Sequence, residues 1–302
     1  GLYMEDIVYW DNMELVVRDM KQSHVNGGRL GKFWVEDRKS GRVFMVKGSS
    51  TFSYEPFSEK IAYIVGKNLG LDILKYDIIP VEKFKGILPI KSYCGYVSIC
   101  EKVDRKNFSI TSVAEIKRAK NAILEPGAKP VTNKEVMYEI LPQKYIDTMF
   151  LFDAVIGNND RHYGNVHILR GINGELIGAP ILDNGASLLA NNSILTALVL
   201  GYKVGEIVDG SSTIEDKHMK QIMHATTLNG INFNIPLKTI EIFEELQSTF
   251  DLMPQDRVEA IKKYLAYRLH KYLGIIKNKE IPDDGADAFI KKEVKSAEKE
   301  HT

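Results

Sequence analysis

An aspartate and an asparagine share one polar loop, Gly157-Asn158-Asn159-Asp160-Arg161-His162-Tyr163-Gly164-Asn165, and Asp183-Asn184-Gly185 follows after a hairpin signal. Phosphoryl transfer asks for such a set: a carboxylate near the acceptor hydroxyl, an amide and a carboxylate oxygen to hold Mg²⁺ against the phosphates, and a cation on the phosphates. Asp160 suits the first role, and Asn165 and Asp183 suit the second. The hairpin, read from residues 166–169, a turn at 172–174 and residues 175–181, folds the chain back so that Asp183 faces the loop. Lys47, ending an expected strand, is the natural cation, and Glu59 on the next helix is placed to hold it by an ion pair. Taken singly, each of these residues also reads as an ordinary turn, strand start or surface charge. Their joint order and spacing carry the functional reading.

Other polar residues carry less. Gly27, Gly28 and Gly31 form a glycine cluster just before a strand. Glycines let backbone N–H groups approach a phosphate, although these three do not complete a G-x-G-x-x-G pattern. His167 alternates with apolar neighbours and reads as structural, and His218 and His224 lack a metal partner.

These residues need elements to position them. Residues 29–35 and 42–47 read as strands joined by a turn at 38–41. Phe57, Ile61, Ile64, Val65 and Leu69 fall on one helical face, with Pro56 in the first turn and Gly70 at the end. Strands follow at 76–81 and 95–100, the order of a small mixed lobe. From about residue 110 the chain reads as mainly helical, with helices at 112–124, 133–140, 143–156, 214–227, 237–249 and 255–274. Gly274 is expected to end the last of these, and the charged stretch after Pro282 reads as a frayed or disordered tail.

Composition excludes several classes. Forty basic residues balance forty acidic ones, so there is no surplus of cations for bulk nucleic-acid binding. No apolar run approaches the ~18 residues of a transmembrane helix, and the acidic, aromatic start lacks the pattern of a signal peptide. Two cysteines, Cys94 and Cys100, make no disulfide framework, which points to a reducing cytoplasm. A secreted effector role is compatible with the same sequence.

One family shares these motifs in this order. Lys47, then the Glu59 helix ending Lys67-Asn68-Leu69-Gly70-Leu71, then Cys100-Glu101-Lys102-Val103-Asp104-Arg105, then Asp160-x-His162-x-x-Asn165, then Leu182-Asp183 resembles the HipA-like serine/threonine kinases from about residue 25 to 275. The chain resembles a compact, stand-alone member without the N-terminal subdomain of full-length HipA toxins. The resemblance implies an α+β, bilobal protein-kinase-like fold: a small β-rich N-lobe over 4–103, a larger, mainly helical C-lobe over 104–277, and a tail over 278–302. It implies ATP and Mg²⁺, transfer to a protein Ser/Thr hydroxyl with autophosphorylation near Ser23 or residues 49–53, and an antitoxin-like regulator as a further partner. By this match Asp160 looks like the catalytic base, Asn165 and Asp183 like metal ligands, and Lys47 like the phosphate lysine. Glu101 to Val103 looks like the hinge, and His162 joins the nucleotide site. Asp-Arg-His-x-x-Asn also resembles the catalytic loop of phosphatidylinositol kinases, so a lipid acceptor and a nucleotide-binding pseudokinase are the competing expectations.

Overall fold

In a computed structural model of the chain, residues 6–18, 31–103, 107–192, 217–228 and 233–278 are described. Gly27, Gly28, Ser23, Asp104, Arg105 and the charged tail from 279 lie outside them. The fold is mixed α/β. Strands β1 (Val8–Trp10), β2 (Met13–Val17), β3 (Lys32–Asp37), β4 (Val43–Lys47), β5 (Tyr76–Pro80) and β6 (Tyr96–Glu101) form an antiparallel sheet in the order β1-β2-β3-β4-β6-β5. Helix α1 (Glu55–Asn68) follows β4 and ends at Gly70, whose positive φ suits the left-handed stop.

The β1–β2 hairpin adds to the strands read from sequence. Its turn residues Asp11 and Asn12 both have positive φ, as a two-residue type I′ turn requires. Side chains alternate along β3 and β4. Phe33, Val35, Phe44 and Val46 enter the sheet's own core, while Lys32, Trp34, Met45 and Lys47 face the other side. Lys32 pairs directly with Lys47 in the ladder, so two ammonium-bearing side chains lie side by side on that face.

A second sheet, β7 (Phe108–Ser112), β8 (His167–Gly171) and β9 (Leu176–Gly178), lies among helices. β7 occupies residues expected to lead into a helix. Phe108-Ser-Ile-Thr-Ser112 alternates, and Ser112 then caps α2 (Val113–Ala122) by accepting the Glu115 N–H. Helices α3 (Asn133–Ile140) and α4 (Gln143–Ile156) match their expected bounds. α4 stops at Gly157, φ +67°, where an added Cβ would lie 2.0 Å from the Tyr264 hydroxyl.

Three expected boundaries move. Helix α5 spans only His218–Met223, because the Asp147 carboxylate takes the N–H groups of Thr226 and Thr227 that a longer helix would have used. Helix α6 (Ile235–Phe250) starts earlier than expected, with Asn234 as its cap. Helix α7 (Gln255–Arg268) passes through a π turn at Leu269–Leu273 into α8 (Gly274–Asn278). Gly274 does not end it, because Ile275 and Ile276 are drawn into the core. That core joins α1 to α4, α6 and α7.

Candidate active site

The polar loop after α4 is built from buried bonds outward. Asp153, on the last turn of α4, is fully buried and pairs with Arg161, whose side chain is 1% exposed. Burial pushes the Asp153 carboxyl up, opposed by the Arg161 charge beside it. Arg161 Nη1 donates to the carbonyls of Asn165 (3.0 Å) and Leu182 (2.6 Å), and Nη2 donates to Asn184 Oδ1 (2.5 Å). One guanidinium therefore bonds to the Asp160–Asn165 loop and to both neighbours of Asp183. Asn158, also buried, accepts the Asp160 N–H on its side-chain oxygen at 2.9 Å. Its own carbonyl faces His218 Nε2 at 2.9 Å, while Arg268 lies 2.8 Å from His218 Nδ1. Burial first, then the Arg268 charge, lowers the His218 pKa to about 3, so this ring is neutral and donates from Nε2 to the loop.

With the loop so held, Asp160 is exposed, and its carbonyl accepts from Asn165 Nδ2 at 2.9 Å. That leaves the Asn165 amide oxygen as an acceptor. Asp183 sits at φ +59°, and its N–H donates to the Tyr76 hydroxyl. Its Oδ2 lies 2.6 Å from His167 Nε2. Burial opposes its charge, but the His167 hydrogen bond, together with nearby Lys32 and Lys47, holds its carboxyl far below the usual carboxylate range.

The sheet supplies the opposite wall. A cleft of about 370 Å³ is lined by Lys32, Trp34 and Met45 above and by Gly164, His167 and Asp183 below, with Cys100 to Val103 along its back. Lys102 N–H bonds to Val43 O, and β5 pairing stops at Cys100. Because ladder groups alternate in direction, the neighbouring backbone groups of Glu101 and Val103 face away from β4, on the side β5 has vacated. The Glu101 side chain pairs with Arg42.

Glu59 is buried on α1 and accepts the Asn184 N–H at 3.1 Å. Burial, added to by the charge of Asp183 and only partly offset by Lys47, pushes its pKa to about 8. The expected Lys47–Glu59 ion pair is not formed: among the described residues no carboxylate reaches ion-pair distance of Lys47. Glu59 is instead turned to the backbone next to Asp183, where its charge is disfavoured. His162 is exposed, and its Nδ1 accepts the Gly164 N–H at 3.1 Å. A Cβ on Gly164 would come within 2.9 Å of that ring. Gly31 sits at the start of β3 against the Phe33 ring.

Sequence reasoning missed four residues of this arrangement. Lys32 could have been found from the hairpin register, which places it opposite Lys47. Arg161 and Asp153 form the loop's buried anchor, and their spacing resembles an exposed turn charge and a helix acid. His167, read as structural, faces the cleft. The donor set suits Mg²⁺, which needs only one or two protein carboxylate or amide oxygens beside phosphate and water. Asp183 is ionised, and its Oδ1 carries no hydrogen bond among the described residues. No cluster of three or more His, Cys, Asp or Glu residues that could hold a metal occurs among the described residues, so those residues offer no enclosed cage.

No protein-family model and no curated protein matches the chain. Among solved structures, the chain is similar to the Helicobacter pylori proinflammatory kinase CtkA, with a TM-score of 0.57 and 16% identity, covering 87% of this chain and 95% of that one. The fold is therefore kinase-like.

Proposed function

We propose that the chain is an ATP-dependent protein kinase of the HipA-like type, bilobal, transferring the γ-phosphoryl group to a Ser or Thr hydroxyl. The observation that carries this reading is the Arg161 hub, which bonds the loop of Asp160 and Asn165 to both residues flanking the cleft-lining Asp183. Asp160, exposed on a loop fixed from beneath, accepts the acceptor proton and aligns its oxygen. Lys47 and its ladder partner Lys32 hold the phosphates from above. Asn165 and Asp183 would hold Mg²⁺, which would supply neutralisation of the phosphate charge. Glu101 to Val103 receive the base through their outward backbone groups.

The acceptor is a protein hydroxyl, and an antitoxin-like regulator is a further partner. No helix among the described residues is long and apolar enough to cross a membrane. We place the enzyme in the cytoplasm. Within residues 49–53, burial narrows the sites open to self-modification. Ser49 and Ser53 are buried and hydrogen-bonded, whereas Ser50 and Thr51 are exposed in the same loop.

Incubation with labelled ATP and Mg²⁺, against a cell lysate, the protein itself and inositol lipids, tests the reading. Asp160→Asn should lower transfer by about 10²–10⁴-fold while nucleotide affinity stays unchanged. Undiminished transfer by that variant would overturn the assignment. Label on lipid alone would replace the protein acceptor by a lipid one.

A further inference from the structure

The carboxylate of Asp183 presents its two oxygens unequally. Oδ2 lies 2.6 Å from His167 Nε2, and an ionised carboxylate only accepts, so the ring N–H is the donor. Oδ1 bears no hydrogen bond among the described residues. Neither partner can turn away easily. His167 opens β8, where it is paired with Ser112 on one side and its carbonyl accepts the Ala179 N–H on the other. Asp183 is clamped on both sides, Leu182 O by Arg161 and Asn184 N–H by Glu59, and its own N–H is taken by Tyr76. Both side chains still reach solvent in the cleft, 15% and 22% exposed.

The size and ligand demands of divalent cations make this asymmetry consequential. Ca²⁺ gathers about six to eight oxygens and often takes both oxygens of one carboxylate. Mg²⁺ is smaller, keeps an octahedral shell with several waters, and accepts a carboxylate through one oxygen. We propose that His167 is a positioning residue that occupies one oxygen of Asp183, leaves the other as a single-point ligand, and thereby selects Mg²⁺ over Ca²⁺. The inference rests on the kinase reading above, since the metal is the one that accompanies the nucleotide phosphates.

Calorimetric titration of a non-hydrolysable ATP analogue in Mg²⁺ or in Ca²⁺ reads the selectivity without turnover. The unaltered protein should prefer the Mg²⁺ complex. His167→Ala should narrow the Mg²⁺/Ca²⁺ affinity ratio by about tenfold, the lower end of the effect of removing a group that orients a metal ligand. His167→Gln, whose amide N–H reaches a similar point, should restore the ratio. If His167→Ala loses its fold, His167→Phe keeps the ring without the N–H and serves in its place. An unchanged ratio in the variant lacking the donor, or an equal narrowing in His167→Gln, would overturn the role of His167 and leave the kinase reading intact. Absence of metal-dependent nucleotide binding by the unaltered protein would instead overturn the kinase reading, and this inference with it.

Discussion

The two walls of the cleft are prepared to different degrees. The floor, formed by the loop of Asp160 and the turn at Asp183, is tied by buried bonds through Arg161, Asp153, Asn158 and His218. The sheet side places Lys32 and Lys47 together by ladder register alone, with no carboxylate at ion-pair distance of Lys47 among the described residues. In the proposed kinase reading the floor orients an acceptor and a metal ligand, work that asks for a geometry fixed in advance. In the same reading the roof receives a polyanion, whose phosphates would supply the counter-charge to Lys32 and Lys47.

This contrast can be broken first on stability. Arg161→Leu should lower unfolding free energy by about 3–5 kcal/mol, because Asp153 is left as an uncompensated buried charge. Lys47→Leu should change it by about 0.5 kcal/mol or less, as for a surface site, while impairing transfer. Urea unfolding of the two variants side by side checks this, and similar losses would erase the distinction between floor and roof.

A second effect, visible as a pH dependence, is expected where the walls meet, at Glu59. Its pKa is about 8 in the folded chain against an ordinary 4.5. The folded state thus binds its proton more tightly than the unfolded state does. That contribution to stability is fully present below pH 4.5 and is lost as pH rises through about 8. Glu59→Gln should flatten the loss across this window. Thermal unfolding from pH 5 to 9 measures it, and parallel curves for both proteins would show that Glu59 is not protonated in the folded chain.

A small effect also belongs to the rim. Arg42 and Glu101 pair at 2.8 Å, but their side chains are 52% and 45% exposed. Arg42→Ala should therefore cost under about 1 kcal/mol, less still in high salt. A loss near that of Arg161→Leu would mean that the Glu101 end of the cleft is as firmly tied as its floor.

Local signals made much of the fold legible. Residues 56–69 declared α1 by apolar spacing and terminal Pro and Gly, and α3 and α4 kept their expected bounds for similar reasons. The β1–β2 hairpin was legible in principle from Asp11-Asn12, a weaker turn signal than Asn-Gly. β7 shows period-two alternation, but only pairing with β8 makes a strand of five residues stable. The end of α5 was not legible, because the Asp147 carboxylate that competes for its N–H groups arrives from α4.

The same division runs through the site. Residue type and spacing alone singled out Asp160, Asn165, Asp183, Lys47 and Glu59, since the chemistry of phosphoryl transfer restricts both the side chains and the loops that can present them. Spacing along a chain says nothing of which charges meet after folding. Only the tertiary structure turned Glu59 to the Asn184 N–H instead of Lys47, set Lys32 beside Lys47, gave Asp183 the imidazole of His167 as its partner, and buried Arg161 against Asp153. Those outcomes depend on burial and on partners far off in sequence, and burial decides whether a charge is kept, shared or suppressed.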